Sequence, residues 1–142
     1  MVEIKMKTRT TGATATMAAR GHASLRTETG GTLDVVTSVS DPGFNPLDLL
    51  YSSLAACLVL SVKGAVSRLQ LMERFEGVSA HVIGEKAHEG PSRVETMTCI
   101  IRIRGDFSDE ERQDIVRLAK ELCTVSNTLT YLPSIQLVAE KL

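Results

Sequence analysis

The stretch NPLDLLYSSLAACLVLSVKGAVSRL, residues 45–69, decides the fold. Asn45 is a residue type that caps helices, and Pro46 suits the first helical position, where its missing N–H would have had no partner. A helix is therefore expected to start here and run to about Leu69. From Leu49 to Val62 no side chain carries a charge, and a helix without a polar face has to be covered on most of its circumference. Ser52, Ser53, Ala55 and Ala56 would let other backbones come close, while Leu50, Leu54, Leu58 and Leu60 would fill the remaining volume. The stretch reads as the central helix of the fold. With 142 residues the chain is expected to form one domain, 1–142, of ordinary size. Covering so long an apolar helix with the sheets of one copy is difficult, which points to a dimer.

Working upstream, VEIKMKTRT (2–10), ATATM (13–17), HASLRTET (22–29) and LDVVTSV (33–39) read as strands of a meander, with reversals at Gly21 and at Gly30-Gly31. Ser40-Asp41-Pro42-Gly43 breaks the pattern before the helix. Downstream, VSAHVIGEK (78–86) and VETMTCIIRIR (94–104) read as two more strands around the polar turn AHEGPS. Alternation puts Met97, Cys99, Ile101 and Ile103 on one face of the second strand. Ser108, with Glu111 three residues later, predicts a capping box and a helix to about Leu122, whose buried face would carry Ile115, Leu118, Ala119 and Leu122. The closing PSIQLVAEKL (133–142) reads as a last strand. Strands, a buried helix, strands, a helix and a strand make an α+β chain with antiparallel sheets.

Charge excludes two partner classes. With 16 basic and 17 acidic side chains the net charge is -1, so neither nucleic acid nor an anionic membrane finds an electrostatic footprint. No apolar run is expected to reach the roughly 20 residues of a membrane span, and MVEIKMKTRT lacks the charged-then-apolar order of a signal peptide. A cytoplasmic setting follows as the expectation. Three cysteines in a reducing compartment then read as free, metal-bound or catalytic thiols rather than a disulfide framework. His22, His81 and His88 are scattered without zinc-site spacing, and no metal or organic cofactor is implied.

Cys57 lies within SSLAACLVLSV, and Cys123 opens CTVSNTL after the helix SDEERQDIVRLAKEL. Taken bare, either thiol is more readily core packing than chemistry. Together with NPLDLLYSSLAAC and the opening ATATMAARGHAS, however, these segments resemble the OsmC/Ohr family of osmotically inducible and organic hydroperoxide resistance proteins, over nearly the whole chain. The resemblance implies an OsmC-like fold, an intertwined homodimer with a six-stranded sheet in each protomer wrapping long central helices, and the activity of a thiol peroxidase. It implies Cys57 as the thiol that attacks a hydroperoxide substrate and Cys123 as the one that resolves it, with a dithiol reductant resetting the pair.

An attacking cysteine must be a thiolate, whereas an isolated thiol titrates at about 8.5. Cys57 lies about three turns into its helix, where the macrodipole has faded, and Cys123 lies near a helix C-terminus, which disfavours negative charge. A cation is therefore expected to do this work. The resemblance implies an arginine from an early loop, best matched by Arg20, with Arg26 as the alternative. The family places a glutamate directly after the proline of its helix start to orient that arginine; here Leu47 takes that place and Asp48 follows. Asp48 is thus a candidate for the orienting acid. A shift of one residue turns a helical side chain by about 100°, so capping after Asn45 is its competing role. Phe44, Leu54, Leu58, Tyr131 and Leu132 are expected to wall the site with apolar surface, which favours organic peroxides. Cys99, on an apolar strand face, reads as packing. Ser126 and Asn127 read as partners for the end of the Cys123 helix. The rival reading is a protein that keeps the fold but binds a small ligand or senses redox state.

Overall fold

Apolar and polar residues alternate along most of ATAT, ASLRT and TLDV, and each of these segments forms a strand. The computed structural model describes residues 10–142, so the strand expected from Val2 falls, apart from Thr10, outside the described residues. The chain divides into two compact units, one ending at Leu49 and the other starting at Leu50. In the first unit, β1 (Ala13–Thr16), β2 (Ala23–Thr27) and β3 (Thr32–Val35) form an antiparallel sheet in that order. Ala15 pairs with Leu25 and Leu25 with Leu33, so one face is apolar. Thr14, Ser24, Arg26 and Asp34 occupy the other, where Ser24 Oγ donates to Asp34 Oδ1 at 2.9 Å. Gly30, at φ 98°, turns the chain between β2 and β3 in a conformation that other residues adopt only with strain. β3 stops at Val35, short of the expected Val39: the Val36 N–H turns instead to the Phe44 carbonyl at 3.0 Å.

Helix α1 spans Pro46–Arg68. It starts where the sequence predicts, and Asn45 and Asp48 cap it reciprocally. The Asp48 N–H donates to Asn45 Oδ1 at 2.9 Å, and the Asn45 N–H to Asp48 Oδ2 at 3.0 Å. At the far end Gln70 adopts φ 60°, with Leu71 N–H bonded to the Val66 carbonyl and Gln70 N–H to that of Ser67. This is the Schellman arrangement, with glutamine where glycine is usual. The helix is long and apolar enough to cross a membrane by length and composition, at 23 residues with an 18-residue stretch of mean hydropathy 1.8, which corrects the expectation that no run would reach that length. Its Val62, Ala65 and Val66, however, are fully buried in a protein core.

That core belongs to the second unit. β4 (Phe75–Lys86) and β5 (Val94–Gly105) form a long antiparallel hairpin. Val78, Ile101 and Ile103 of the hairpin pack against the cluster of Val62, Ala65, Val66, Phe107, Ile115 and Ala119. Gly84 leaves room for the Tyr51 ring, whose atoms a Cβ would strike. Helix α2 (Asp109–Leu122) carries the expected capping box between Ser108 and Glu111 and buries Ile115 and Ala119. Glu111 also receives a two-pronged bond from Arg74, at 2.7 and 2.9 Å. Arg74 holds its carboxyl down at about 2.

Three expectations need correction. Seven residues after Cys123 form a further helix, α3 (Thr124–Thr130), where no helix is predicted. Residues 133–142 form no strand, because a strand needs a ladder partner and none of the described residues supplies one. Among the described residues the sheets contain three and two strands, where six in one are expected. The central helix is also only partly covered in one copy: Leu60 is 72% exposed.

Candidate active site

Cys57, on α1, packs against the junction of α2 and α3. Cys123 ends α2 and begins α3, and its φ of -78° and ψ of 101° break the helix between them. Its sulfur accepts from the Ser126 N–H at 3.4 Å, so the thiol itself caps α3. The N–H groups of Thr124 and Val125, at the start of α3, help to lower the Cys57 thiol. Leu54, Leu58 and the fully buried Cys123 form a small core beside the half-buried Cys57, with Ala80, Val82, Met97, Ile101, Val125 and Leu129 packed against it.

The two thiols are polarised in opposite directions. Burial pushes the Cys57 thiol up, but the Val125 N–H, the Cys123 side chain, the Ser61 hydroxyl and the Thr124 N–H together pull it below the ordinary value. Burial also pushes Cys123 up; the Ser126 N–H opposes this, and the hydrogen bond and charge of Cys57 add to the rise. Of the two, Cys57 is thus the readier to ionise and Cys123 the readier to keep its proton. A thiolate ringed by donors beside a protonated thiol can attack an electrophile and then be captured as a disulfide. Backbone N–H groups at the start of the neighbouring α3 thus help to lower the Cys57 thiol, beside the cation that the sequence leads one to expect.

The other predicted residues lie as follows. Arg20 stands exposed in the turn after β1, in the first unit, and Arg26 on the polar face of β2. Asp48 serves as the cap of α1. Phe44 bridges to Val35 in the first unit and is exposed. Leu54 and Leu58 pack in one cluster with Cys123. Leu132, with Leu50, Leu54, Met97, Cys99 and Leu129, lines a groove of about 410 Å³, whereas Tyr131 lies in a separate depression with Arg117, Lys120 and Asn127. Cys99 keeps to its predicted strand face yet is exposed, at the groove, and partial burial raises its thiol. Asn127 does bond the end of α2, donating to the Glu121 carbonyl at 3.0 Å. Sequence reasoning missed Ser61, whose hydroxyl helps to lower both thiols. Its spacing of one helical turn from Cys57 was the available signal.

A family model described as OsmC-like protein matches residues 39–138. No curated protein sequence matches the chain. Among solved structures, an organic hydroperoxide resistance protein OsmC from Legionella pneumophila superposes with a TM-score of 0.71 at 22% identity, covering 87% of this chain and 91% of that one. An OsmC-like protein from Mycoplasma pneumoniae gives 0.72 at 19% identity, over 87% and 89%. An organic hydroperoxide resistance protein from Elizabethkingia anophelis gives 0.70 at 23% identity, over 87% and 90%. These likenesses show the fold.

Proposed function

This chain belongs to the OsmC-like protein family, and from that we propose that it is a thiol-dependent reductase of organic hydroperoxides acting in oxidative stress defence. One observation carries the reading: the donor-ringed Cys57 with a proton-bearing Cys123 against it. The names of the Legionella and Elizabethkingia structures, both organic hydroperoxide resistance proteins, support the substrate class.

The Cys57 thiolate attacks the outer oxygen of the peroxide. The O–O bond breaks, the inner oxygen leaves with a proton as an alcohol, and Cys57 becomes a sulfenic acid. Cys123 then condenses with it, releasing water and forming the disulfide, and a dithiol reductant restores the pair by exchange. Arg20 is the cation proposed for the leaving oxygen, a charge-stabilising role common in catalysis. Asp48 stays with its capping role, as its hydrogen bonds favour. The organic part of the substrate would rest in the groove by Leu54, Met97 and Leu132. The functional unit is a homodimer in a reducing cytoplasm, supported by the exposure of Leu60 on α1 and of Ile135, Leu137 and Val138 on the tail.

The test is intact mass and free-thiol titration after cumene hydroperoxide, on the parent, Cys57→Ser and Cys123→Ser. The expected results are loss of two hydrogens with a Cys57–Cys123 link in the parent, a trapped sulfenic acid in Cys123→Ser, and no reaction in Cys57→Ser. Thiols that stay reduced in excess peroxide would overturn the reading in favour of ligand binding.

A further inference from the structure

One end of the β4–β5 hairpin gathers arginine on its exposed side. Arg102 and Arg104 lie two residues apart on β5, so both project from the same face of the strand, and both are exposed. Their cross-strand partners on β4 are Ser79 and Gly77, neither of which carries a charge. Arg112, near the start of α2, comes to the same place. Its guanidinium is pinned there by donating to the Phe107 carbonyl at 2.6 Å and to the Gly105 carbonyl at 3.2 Å. The three arginines line one depression of about 490 Å³ together with Gly77 and Ser79, and no acidic residue lines it.

Other guanidiniums of the second unit hold carboxylates: Arg74 has Glu111 at 2.7 Å, Arg93 has Glu95 at 3.5 Å and Arg117 has Asp114 at 2.7 Å. Arg112 has Asp109 at 3.6 Å, a carboxylate whose side chain is 98% exposed. Among the described residues neither Arg102 nor Arg104 has a carboxylate partner. Like charges so placed repel one another, and an anion seated among them removes that cost. Guanidinium is also the cation whose planar fork matches phosphate oxygens in pairs. We propose that this depression is a binding site for a small diphosphate-bearing molecule. Two linked phosphates offer enough oxygens and charge to engage Arg102 and Arg104, about 7 Å apart along the strand, together with Arg112 and the Ser79 hydroxyl. The volume suits a small ligand. A long polyanion fits less well, because the exposed face continues as Ile100 and Thr98 on β5 and as His81, Ile83 and Glu85 on β4, which offer no fixed positive charge to follow a backbone.

Isothermal titration of the whole protein with inorganic pyrophosphate, at low salt and at about 200 mM salt, tests the site, since salt screens exposed ion pairs. One pyrophosphate should bind per chain, more weakly at the higher salt and about tenfold tighter than sulfate, which is too small to engage both strand arginines. Arg102→Gln and Arg104→Gln should each weaken binding by about tenfold, the scale of a hydrogen bond to a charged group. At Gly77 a Cβ would meet nothing within 4 Å, so Gly77→Asp places a carboxylate opposite Arg104 and should weaken binding by a similar factor. Pyrophosphate should raise the melting temperature of the parent and not that of the variants, while melting without pyrophosphate should be alike in all four. If Gly77→Asp melts early, the two arginine variants, at exposed positions, decide. A parent that binds no pyrophosphate, or variants that bind it as the parent does, would overturn the site. Sulfate bound as tightly as pyrophosphate would overturn the diphosphate class. Cosedimentation with phosphatidylglycerol vesicles in place of pyrophosphate binding would overturn it in favour of a membrane surface.

Discussion

At the scale of single residues, the site rests on unequal treatment of two chemically identical thiols. Cys57 lies below the ordinary thiol value and Cys123 above it, so iodoacetamide should label Cys57 first as pH rises. The labelling curve of Cys57 should move to higher pH in Cys123→Ser, which removes an S–H donor; coincident curves for the two thiols in the parent would contradict the polarity. A second titration lies outside the site. Glu111 drops from 4.5 to about 2 under the Arg74 guanidinium. Because its folded value is the lower one, its stabilising effect is complete above about 4.5 and fades as pH falls toward about 2. The stability gap between the parent and Glu111→Gln, from urea unfolding, should therefore be constant at neutral pH and shrink through that acid window. A gap that grew on acidification would reverse the sign of the coupling. The sequence made Cys57 and Cys123 visible and disfavoured charge on Cys123, but it did not show the donors that lower Cys57, because these are in part backbone N–H groups, which every residue but proline possesses.

Among the elements, legibility followed the strength of local signals. Asn45-Pro46 and the Ser108–Glu111 box marked both long helices, and strict alternation marked β4 and β5. Helix α3 escaped because TVSNTLT is rich in hydroxyl and β-branched residues, which are poor helix formers. It is held by the Cys123 sulfur and by the Thr128 and Thr130 hydroxyls, which donate to the Thr124 and Ser126 carbonyls. Thr124 occupies the first helical position, after a residue in extended conformation. Proline is accommodated there. Thr124→Pro should thus keep α3 while deleting one N–H that helps to lower Cys57. Cys57 labelling should shift to higher pH, and its reaction with peroxide at neutral pH should slow by about tenfold. Unchanged labelling, with helical content retained by circular dichroism, would dismiss α3 as a source of activation.

For the whole molecule, what one copy leaves uncovered is the informative quantity. The expected last strand offers Ile135 and Leu137 in alternation but finds no ladder neighbour among the described residues, and Leu60 projects from the central helix at 72% exposure. Both are features of a half-finished core, and a partner copy was the sequence-based expectation for the same reason of uncovered area. Sedimentation equilibrium should give twice the mass of one chain, with Leu60→Glu shifting it toward one. A parent that sediments as a single chain at micromolar concentration would remove the dimer from the proposal. The double duty of Cys123 has a consequence at this scale as well. The sulfur that would enter the disulfide is also the cap of α3, and a sulfur drawn into a bond with Cys57 is a poorer acceptor for the Ser126 N–H. Oxidation would then loosen the first turn of a helix on the protein surface, and hydrogen exchange at the Ser126 amide should quicken in the oxidised protein. The catalytic cycle would carry its own outward signal, a redox state that another protein could read from the firmness of α3 without touching either sulfur.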